Sequence, residues 1–153
     1  MTAPCTLKSR LARAAFAAGL VLIGPTAAAQ AIGQVKTASG TVSIERAGAT
    51  LPATPGTRVE AADVLRTGAN GAAGITMNDN AVLSIGPNSV LSLDTFAFDA
   101  TTHQGRIDAT LSKGSLAVVS GRIAKQSPDG MKVRTPASVL GVRGTTFAVR
   151  VDD

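Results

Sequence analysis

The sequence predicts an all-β domain, a sandwich or roll of about nine to eleven short, mostly antiparallel strands. After residue 32, no window holds apolar residues at helical spacing over three turns without an interrupting glycine or proline. Short alternating runs recur instead about every eight to twelve residues, and turn-forming residues separate them. This pattern is typical of strands with one buried face.

Residues 1–31 precede the domain, and we expect them to be a secretory signal peptide. Three basic residues come first, and the apolar run Ala14–Ile23 follows them. Cleavage after Ala29 and cleavage after Ala31 both satisfy the small-x-small rule. A membrane anchor is disfavoured, because ten helical residues span about 15 Å and the hydrocarbon core is roughly 30 Å thick. The expected product is periplasmic or secreted.

The composition of residues 32–153, which we predict to be one domain, excludes several functions. Twelve basic residues stand against ten acidic ones, a formal charge of +2 in place of +5 for the whole chain. This nearly even charge balance does not favour binding to nucleic acid. The single cysteine lies in the leader, so the domain can form neither a disulfide nor a thiolate metal site. With no Trp or Tyr and three Phe, it has few aromatic groups for stacking on bases.

Alternating apolar residues locate the first strands. Thr41–Arg46 has the pattern of a strand with one buried face. Within Gly74–Leu93, three apolar-x-apolar pairs recur at eight-residue intervals, with Asn78–Asn80 and Gly86–Ser89 between them as turn formers. Three short strands satisfy this spacing, arranged either as a meander or as a rolled sheet.

The following segments complete the predicted sheet. Asp94–Arg106 is polar around His103, which predicts a loop or an excursion at a sheet edge. Ile107–Val119 predicts two strands joined around Lys113-Gly114, and Lys132–Thr135 predicts one more short strand.

The most informative stretch is Thr135–Phe147, with the sequence TPASVLGVRGTTF. Thr135-Pro136 predicts a bend or an edge, because proline fixes φ and lacks an amide donor. Gly141 and Gly144 are expected to permit close packing of the chain. We predict that Phe147 is an aromatic core anchor, so that its replacement by alanine costs about 3–5 kcal/mol.

Arg143 lies between these glycines and has two possible roles. Its planar guanidinium could bind a carboxylate of a ligand or partner. Alternatively, it could stabilise the fold by pairing with a carboxylate such as Asp63 or by bonding loop carbonyls. The glycines favour the structural role. The candidate partner-binding residues are Thr135, Pro136, Gly141, Arg143, Gly144 and Thr145.

No stretch of the sequence requires an enzyme, and we predict a domain with no catalytic residues, cofactor or metal. His103 has no second histidine and no cysteine with which to share a metal, which favours a solvated side chain. No serine lies in a G-x-S-x-G elbow, although a serine paired with His103 in space would leave a hydrolase as a further alternative. Asn78–Asn80 matches only part of a calcium loop, and turn chemistry explains it better.

Four motifs, in this order, resemble the FecR-type domain, the periplasmic module named after the ferric-citrate regulator. They are GQVKTASGTVSIER (Gly33–Arg46), PGTRVEAADVLRTGANGAAGITMNDNAVLSIGPNSVLSL (Pro55–Leu93), LSKGSLAV (Leu111–Val118) and VRTPASVLGVRGTTFAV (Val133–Val149). The last is the most specific, in combination with GPNS-x-L-x-L. The resemblance covers essentially all of residues 32–153.

The resemblance implies an all-β periplasmic domain that takes part in signal transduction. In regulators of iron uptake, such a domain faces a TonB-dependent receptor, and a transmembrane helix joins it to a cytoplasmic anti-sigma region. We expect a stand-alone secreted form here, which binds or senses another envelope or periplasmic protein. The alternative is a structural or assembly protein of the envelope, whose C-terminal strand pairs with a strand of its partner.

Overall fold

The computed structural model describes residues 29–144 and 146–152, which form one curled sheet of twelve strands. The all-β prediction is confirmed, although nine to eleven strands were expected. The predicted leader lies outside the described residues as far as residue 28. The elements are β1 (Ala31–Ser39), β2 (Val42–Arg46), β3 (Ala49–Pro52), β4 (Arg58–Glu60), β5 (Val64–Thr67), β6 (Ala72–Met77), β7 (Val82–Ile85), β8 (Val90–Phe98), β9 (Gly105–Val119), α1 (Arg122–Gln126), β10 (Met131–Arg134), β11 (Val139–Val142) and β12 (Thr146–Val151).

Strand β9 joins two halves of this sheet. Its first part pairs with β8 on one side and, in parallel, with β10 on the other. Its last residues pair with β7 and β12. The first half-sheet therefore runs β3-β2-β5-β8-β9-β10-β11, and the second runs β4-β1-β6-β7-β9-β12. Apolar side chains from both halves form one core cluster.

The prediction of two strands within Ile107–Val119 was wrong, because β9 is continuous and bends at Gly114. The bend places Gly114 at φ +88, which glycine tolerates far better than other residues. Buried apolar positions shift across it, from the odd-numbered run ending at Leu111 to the even-numbered Leu116 and Val118. A slip of one residue reverses which side chains face inward, so the core stays apolar while the strand changes partners.

Ser89 fixes this bend from the neighbouring turn. It is fully buried, and its Oγ accepts the Ser115 N–H at 2.9 Å and donates to the Pro87 carbonyl at 3.1 Å. A Cβ on Gly114 would overlap Ser89 Oγ. The Gly86–Ser89 turn and the β9 bend are therefore packed together as one unit.

The three strands predicted within Gly74–Leu93 are confirmed as β6, β7 and the start of β8. Asn80 and Asn88 occupy positive φ in the two turns, at +67 and +51, a region that asparagine adopts more readily than most residues. Strand β7 pairs with β6 and β9, whereas β8 pairs with β5 and β9. The rolled arrangement is therefore correct and the meander is not.

The predicted loop at Asp94–Arg106 is mostly strand. Strand β8 continues to Phe98 because its second part pairs with the beginning of β9. The turn itself is tight, with Asp99 Oδ1 accepting the Thr101 N–H at 2.7 Å. This bond is the main reason why the pKa of Asp99 is lowered from its ordinary value. A register shift between Ser92 and Thr95 breaks the alternation of buried and exposed residues, so the sequence pattern did not reveal this part of the strand.

Helix α1 was not predicted, since five residues are too few to show a helical period. It follows β9 directly and buries Ile123 and Ala124 in the core cluster. No helix in the described part of the chain is long and apolar enough to cross a membrane.

Replacing Gly114 with alanine tests the bend. An alanine at this position would be strained by the left-handed φ, and its Cβ would overlap Ser89. We therefore expect a loss of about 2–4 kcal/mol in the free energy of unfolding. Urea unfolding followed by far-UV circular dichroism measures it, because the domain lacks Trp and Tyr. Gly141→Ala is the control: no atom lies within 4 Å of the position its Cβ would take, and the φ of Gly141 is not positive. Equal stability of the two variants would refute the role given to Gly114.

Candidate functional site

The Thr135–Phe147 stretch, which we call the edge motif, supplies the last strand of each half-sheet. It forms a hairpin turn, then β11, then a crossing segment at Arg143, and then the start of β12. Among the described residues, β11 pairs only with β10 and β12 pairs only with β9. The motif therefore presents two strands with a free side.

The bend predicted at Thr135-Pro136 is confirmed as the turn between β10 and β11. The Thr135 N–H donates to the Ser138 carbonyl at 2.8 Å, and the Ser138 N–H donates to Thr135 Oγ1 at 3.0 Å. Pro136 and Ala137 form the exposed tip. A threonine side chain that mimics a backbone acceptor stabilises such a turn, and proline presets its φ.

The predicted close packing at the two glycines was wrong. A Cβ at either Gly141 or Gly144 would meet no atom within 4 Å. Gly144 has a conformational reason to be glycine, since its φ is +61. Gly141 lies exposed within β11 and has neither a positive φ nor a crowded environment. Its missing side chain is therefore not required by this fold.

Arg143 is exposed and takes no part in the ion pairs or side-chain hydrogen bonds found within residues 29–144 and 146–152. Asp63, named as one possible carboxylate for the structural role of Arg143, is bound by Arg46 instead. Thr145, the last of the candidate residues, lies outside the described residues. The guanidinium N–H groups of Arg143 therefore have no side-chain partner within this part of the chain.

An ion pair with a fully buried carboxylate joins Arg46 of β2 to Asp63. Arg46 Nε and Nη2 donate to the two Asp63 oxygens at 2.8 and 2.6 Å, and Asp63 is fully buried. Arg46 Nη1 also reaches Glu60 Oε1 at 2.7 Å. The hydrogen bonds to Asp63 raise the pKa of Arg46 above its ordinary value. Because Asp63 also accepts the Glu60 N–H at 2.8 Å, this cluster ties β2 to the β4–β5 turn.

Phe147 is only half-buried and packs against the margin of the core. The predicted aromatic core anchor is therefore a side chain on an edge strand, in register with buried Val118 of β9. Since part of its side chain stays exposed, we expect its truncation to cost less than the roughly 3–5 kcal/mol of a fully buried ring. The core is aliphatic instead.

The sequence did not single out the outer face of β10 and β11. Val139 is 63% exposed, the most exposed large apolar side chain among the described residues. It lies directly opposite Arg134, and Gly141 lies opposite Lys132. One signal was available: residues 131–144 contain three basic residues and no acidic one.

His103 belongs to a small aromatic group. It stacks on Phe98 with ring centroids 6.4 Å apart, and Arg122 Nη1 lies 3.3 Å from its Nε2. Phe96 and Phe98 line a groove of about 460 Å³ beside the start of β1. No hydrogen bond joins His103 to a serine in the described part of the chain, so the geometry gives no support to serine hydrolysis.

The turn interpretation of Asn78–Asn80 is confirmed. Asp79 is fully buried, with Oδ1 accepting the Ala81 N–H at 3.1 Å and Oδ2 accepting the Ile123 N–H at 3.3 Å. The carboxylate thus connects the β6–β7 turn to α1. Across the described residues, no three His, Cys, Asp or Glu side chains converge as metal ligands do.

Comparison with known proteins gives one match. The family model described as FecR protein matches residues 63–153. Searches of curated proteins and of solved structures find no match. The matched region begins at Asp63 and contains β5 to β12, including the whole edge motif. Strands β1 to β4 precede it and pair into the same sheet, β1 with β6 and β2 with β5.

Replacing Arg46 with alanine tests the buried ion pair. The change leaves the buried carboxyl group of Asp63 without its cation, and we expect a loss of about 3 kcal/mol in the free energy of unfolding. Arg66→Ala removes the Arg66–Glu45 pair, in which both side chains are more than a third exposed, and should cost at most about 1 kcal/mol. Urea midpoints of the two variants give the comparison. Similar urea midpoints for the two variants would contradict the prediction that the buried Arg46–Asp63 pair contributes more to stability than the exposed Arg66–Glu45 pair.

Proposed function

Because the chain belongs to the FecR family of signalling and sensing domains, we propose that it is an exported, non-enzymatic binding or sensing module of the periplasm. It recognises another envelope protein through the edge motif. The family match covers this motif in full, which supports placing the recognition there.

The observation that carries this proposal is the state of Arg143. Within the described residues, Arg46, Arg66, Arg106 and Arg150 each hold a carboxylate, whereas Arg58, Arg122, Arg134 and Arg143 take part in no ion pair found there. Arg143 is exposed at the crossing between β11 and β12 and takes part in none of these pairs. A free guanidinium is suited to bidentate binding of a carboxylate on another molecule.

Export through a cleaved signal peptide belongs to the same proposal. The two cleavage positions differ in what they leave of β1. Ala31 pairs with Glu60, and its carbonyl accepts a hydrogen bond from Asn78 Nδ2 at 2.8 Å. Cleavage after Ala29 retains both contacts, whereas cleavage after Ala31 removes them. The fold therefore favours a mature chain that begins at Gln30.

A second candidate function is a structural or assembly role in the envelope through strand pairing. The observation that favours it is that β12 has a free side among the described residues. Proline at Ala148 removes an amide donor from this strand. If the Ala148→Pro protein folds and still assembles with its partner, pairing through β12 is excluded.

The binding role is tested with Arg143→Ala, Arg143→Lys and, as a control elsewhere on the surface, Arg66→Ala. We expect all three to unfold close to the wild-type urea midpoint, because exposed charges contribute little to stability. Each is then used to capture partners from periplasmic extract of the native cell. Arg143→Ala should lose the wild-type partner, Arg143→Lys should retain it weakly, and Arg66→Ala should retain it fully.

Two results would overturn the binding role. A large drop in the unfolding midpoint of Arg143→Ala would make the arginine structural. Unchanged capture by a folded Arg143→Ala protein would show that the motif is not the recognition surface.

Intact mass spectrometry of the protein from a periplasmic fraction tests export. We expect a chain that starts at Gln30, which can lose ammonia by cyclisation of its N-terminal glutamine. A full-length chain retained in the cytoplasm would exclude the proposed leader, and a chain starting at Ile32 would exclude the preferred cleavage position.

A further inference from the structure

The free edges of the sheet differ in their protection against pairing with another chain. Four strands have a free side among the described residues, namely β3, β4, β11 and β12. Exposed edges are usually protected by proline, charge or irregular pairing. Strand β3 carries Pro52, β4 carries Arg58 and Glu60, and β12 carries Arg150. Strand β11, with the sequence VLGV, carries neither proline nor charge.

The backbone of β11 offers hydrogen-bonding groups on its free side. The Thr135 N–H bonds to the Ser138 carbonyl, which makes this a hydrogen-bonded pair of the β10–β11 ladder. Such pairs alternate along an antiparallel ladder. Leu140 and Val142 therefore bond towards β10, whereas the N–H and C=O groups of Val139 and Gly141 point outward. These alternate outward groups are the ones to which an added strand would bond.

The side chains on the outer face favour the same event. Val139 is 63% exposed and supplies apolar surface beside these outward groups. Gly141 has open space where a Cβ would be. Because Lys132 is directly opposite Gly141, its flexible stem can cross β11 at the position that lacks a side chain and reach a strand on the far side.

The charge near this edge defines the partner. Lys132, Arg134 and Arg143 flank β11, and residues 131–144 contain no acidic side chain. None of the three contributes to the ion pairs found within the described residues. Asp108, the residue beside Lys132 on β9, is held by Arg106. A second copy of this domain would bring two basic edges together, so self-pairing is electrostatically disfavoured.

We propose that β11 binds an extended acidic segment of another protein as an added β-strand, with Val139 and Gly141 supplying the backbone bonds and Lys132, Arg134 and Arg143 contacting its carboxylates. This inference rests on the proposed binding function and identifies the edge and the chemistry of the partner. It also moves the pairing strand from β12, which carries a charged residue, to the unprotected β11.

Labelled peptides test this directly. The probe is a short blocked peptide that alternates valine with glutamate, and the comparison peptides replace glutamate with lysine or interrupt the strand with proline. Fluorescence anisotropy gives affinities, and ¹⁵N spectra locate the contact. We expect saturable binding only for the acidic peptide, with the largest amide shifts at Val139 and Gly141. The affinity should fall as the salt concentration is raised.

A matched pair of variants distinguishes edge pairing from general attraction. Val139→Glu places a negative charge beside the added strand and should weaken binding of the acidic peptide about tenfold or more by like-charge repulsion. Val119→Glu is the control for the same change in net charge, because Val119 is 48% exposed but lies on β9 between β7 and β12. The inference is overturned if the acidic peptide does not bind, if the lysine peptide binds equally well, or if Val139→Glu and Val119→Glu weaken binding equally.

Three further outcomes have definite meanings. Dimerisation of the wild-type protein in sedimentation velocity, with concentration-dependent amide shifts at Val139 and Gly141, would assign the edge to a second copy and overturn the inference. Loss of the captured partner with Arg143→Ala, together with no peptide binding, would uphold the proposed function and reject strand addition. If the Arg143→Ala protein still captures its partner while the acidic peptide binds at β11, recognition through Arg143 is rejected and strand addition at β11 is supported.

Discussion

The whole fold depends on the bend of β9 at Gly114. This single strand belongs to both half-sheets, and it can change partners only because one residue adopts a left-handed φ while the buried face shifts by one position. Ser89 occupies the space that a side chain at Gly114 would need and bonds to the neighbouring Ser115. The two half-sheets thus share one core without a disulfide, a metal or a large aromatic cluster among the described residues.

The same bend determines where the edge motif lies. Because β9 belongs to both halves, β10 and β11 extend one half beyond it, and β12 extends the other. The chain must cross between the halves after β11, and Arg143 and Gly144 make this crossing. The positive φ of Gly144 serves the crossing, so this glycine is explained by the fold. The exposure of the arginine follows from its place outside both half-sheets.

The sequence predicted the fold wherever its pattern was local. Alternation and turn residues correctly located β6, β7 and β8, and the Thr135-Pro136 turn followed from the properties of proline. Non-local pairing was not predictable in the same way. Lys113-Gly114 has the composition of a hairpin turn, and only partners distant in sequence keep β9 continuous there. The pairing of Asp63 with Arg46 could not be predicted for the same reason, since two strands separate these residues in the chain.

The residues of the motifs that resemble the family fall into two groups: those that make contacts needed by the fold and those that do not. Ser89, Gly114 and Asp63 are committed to buried contacts, and their presence in the sequence is explained by packing alone. Gly141 and Arg143 are different, because no contact in the described residues requires either one. A residue that the fold does not need is better explained by an interaction outside the chain. The glycine without crowding lies on the free edge of β11, and the arginine, which holds no carboxylate among the described residues, follows at the end of that strand. A strand carrying acidic side chains would contact both.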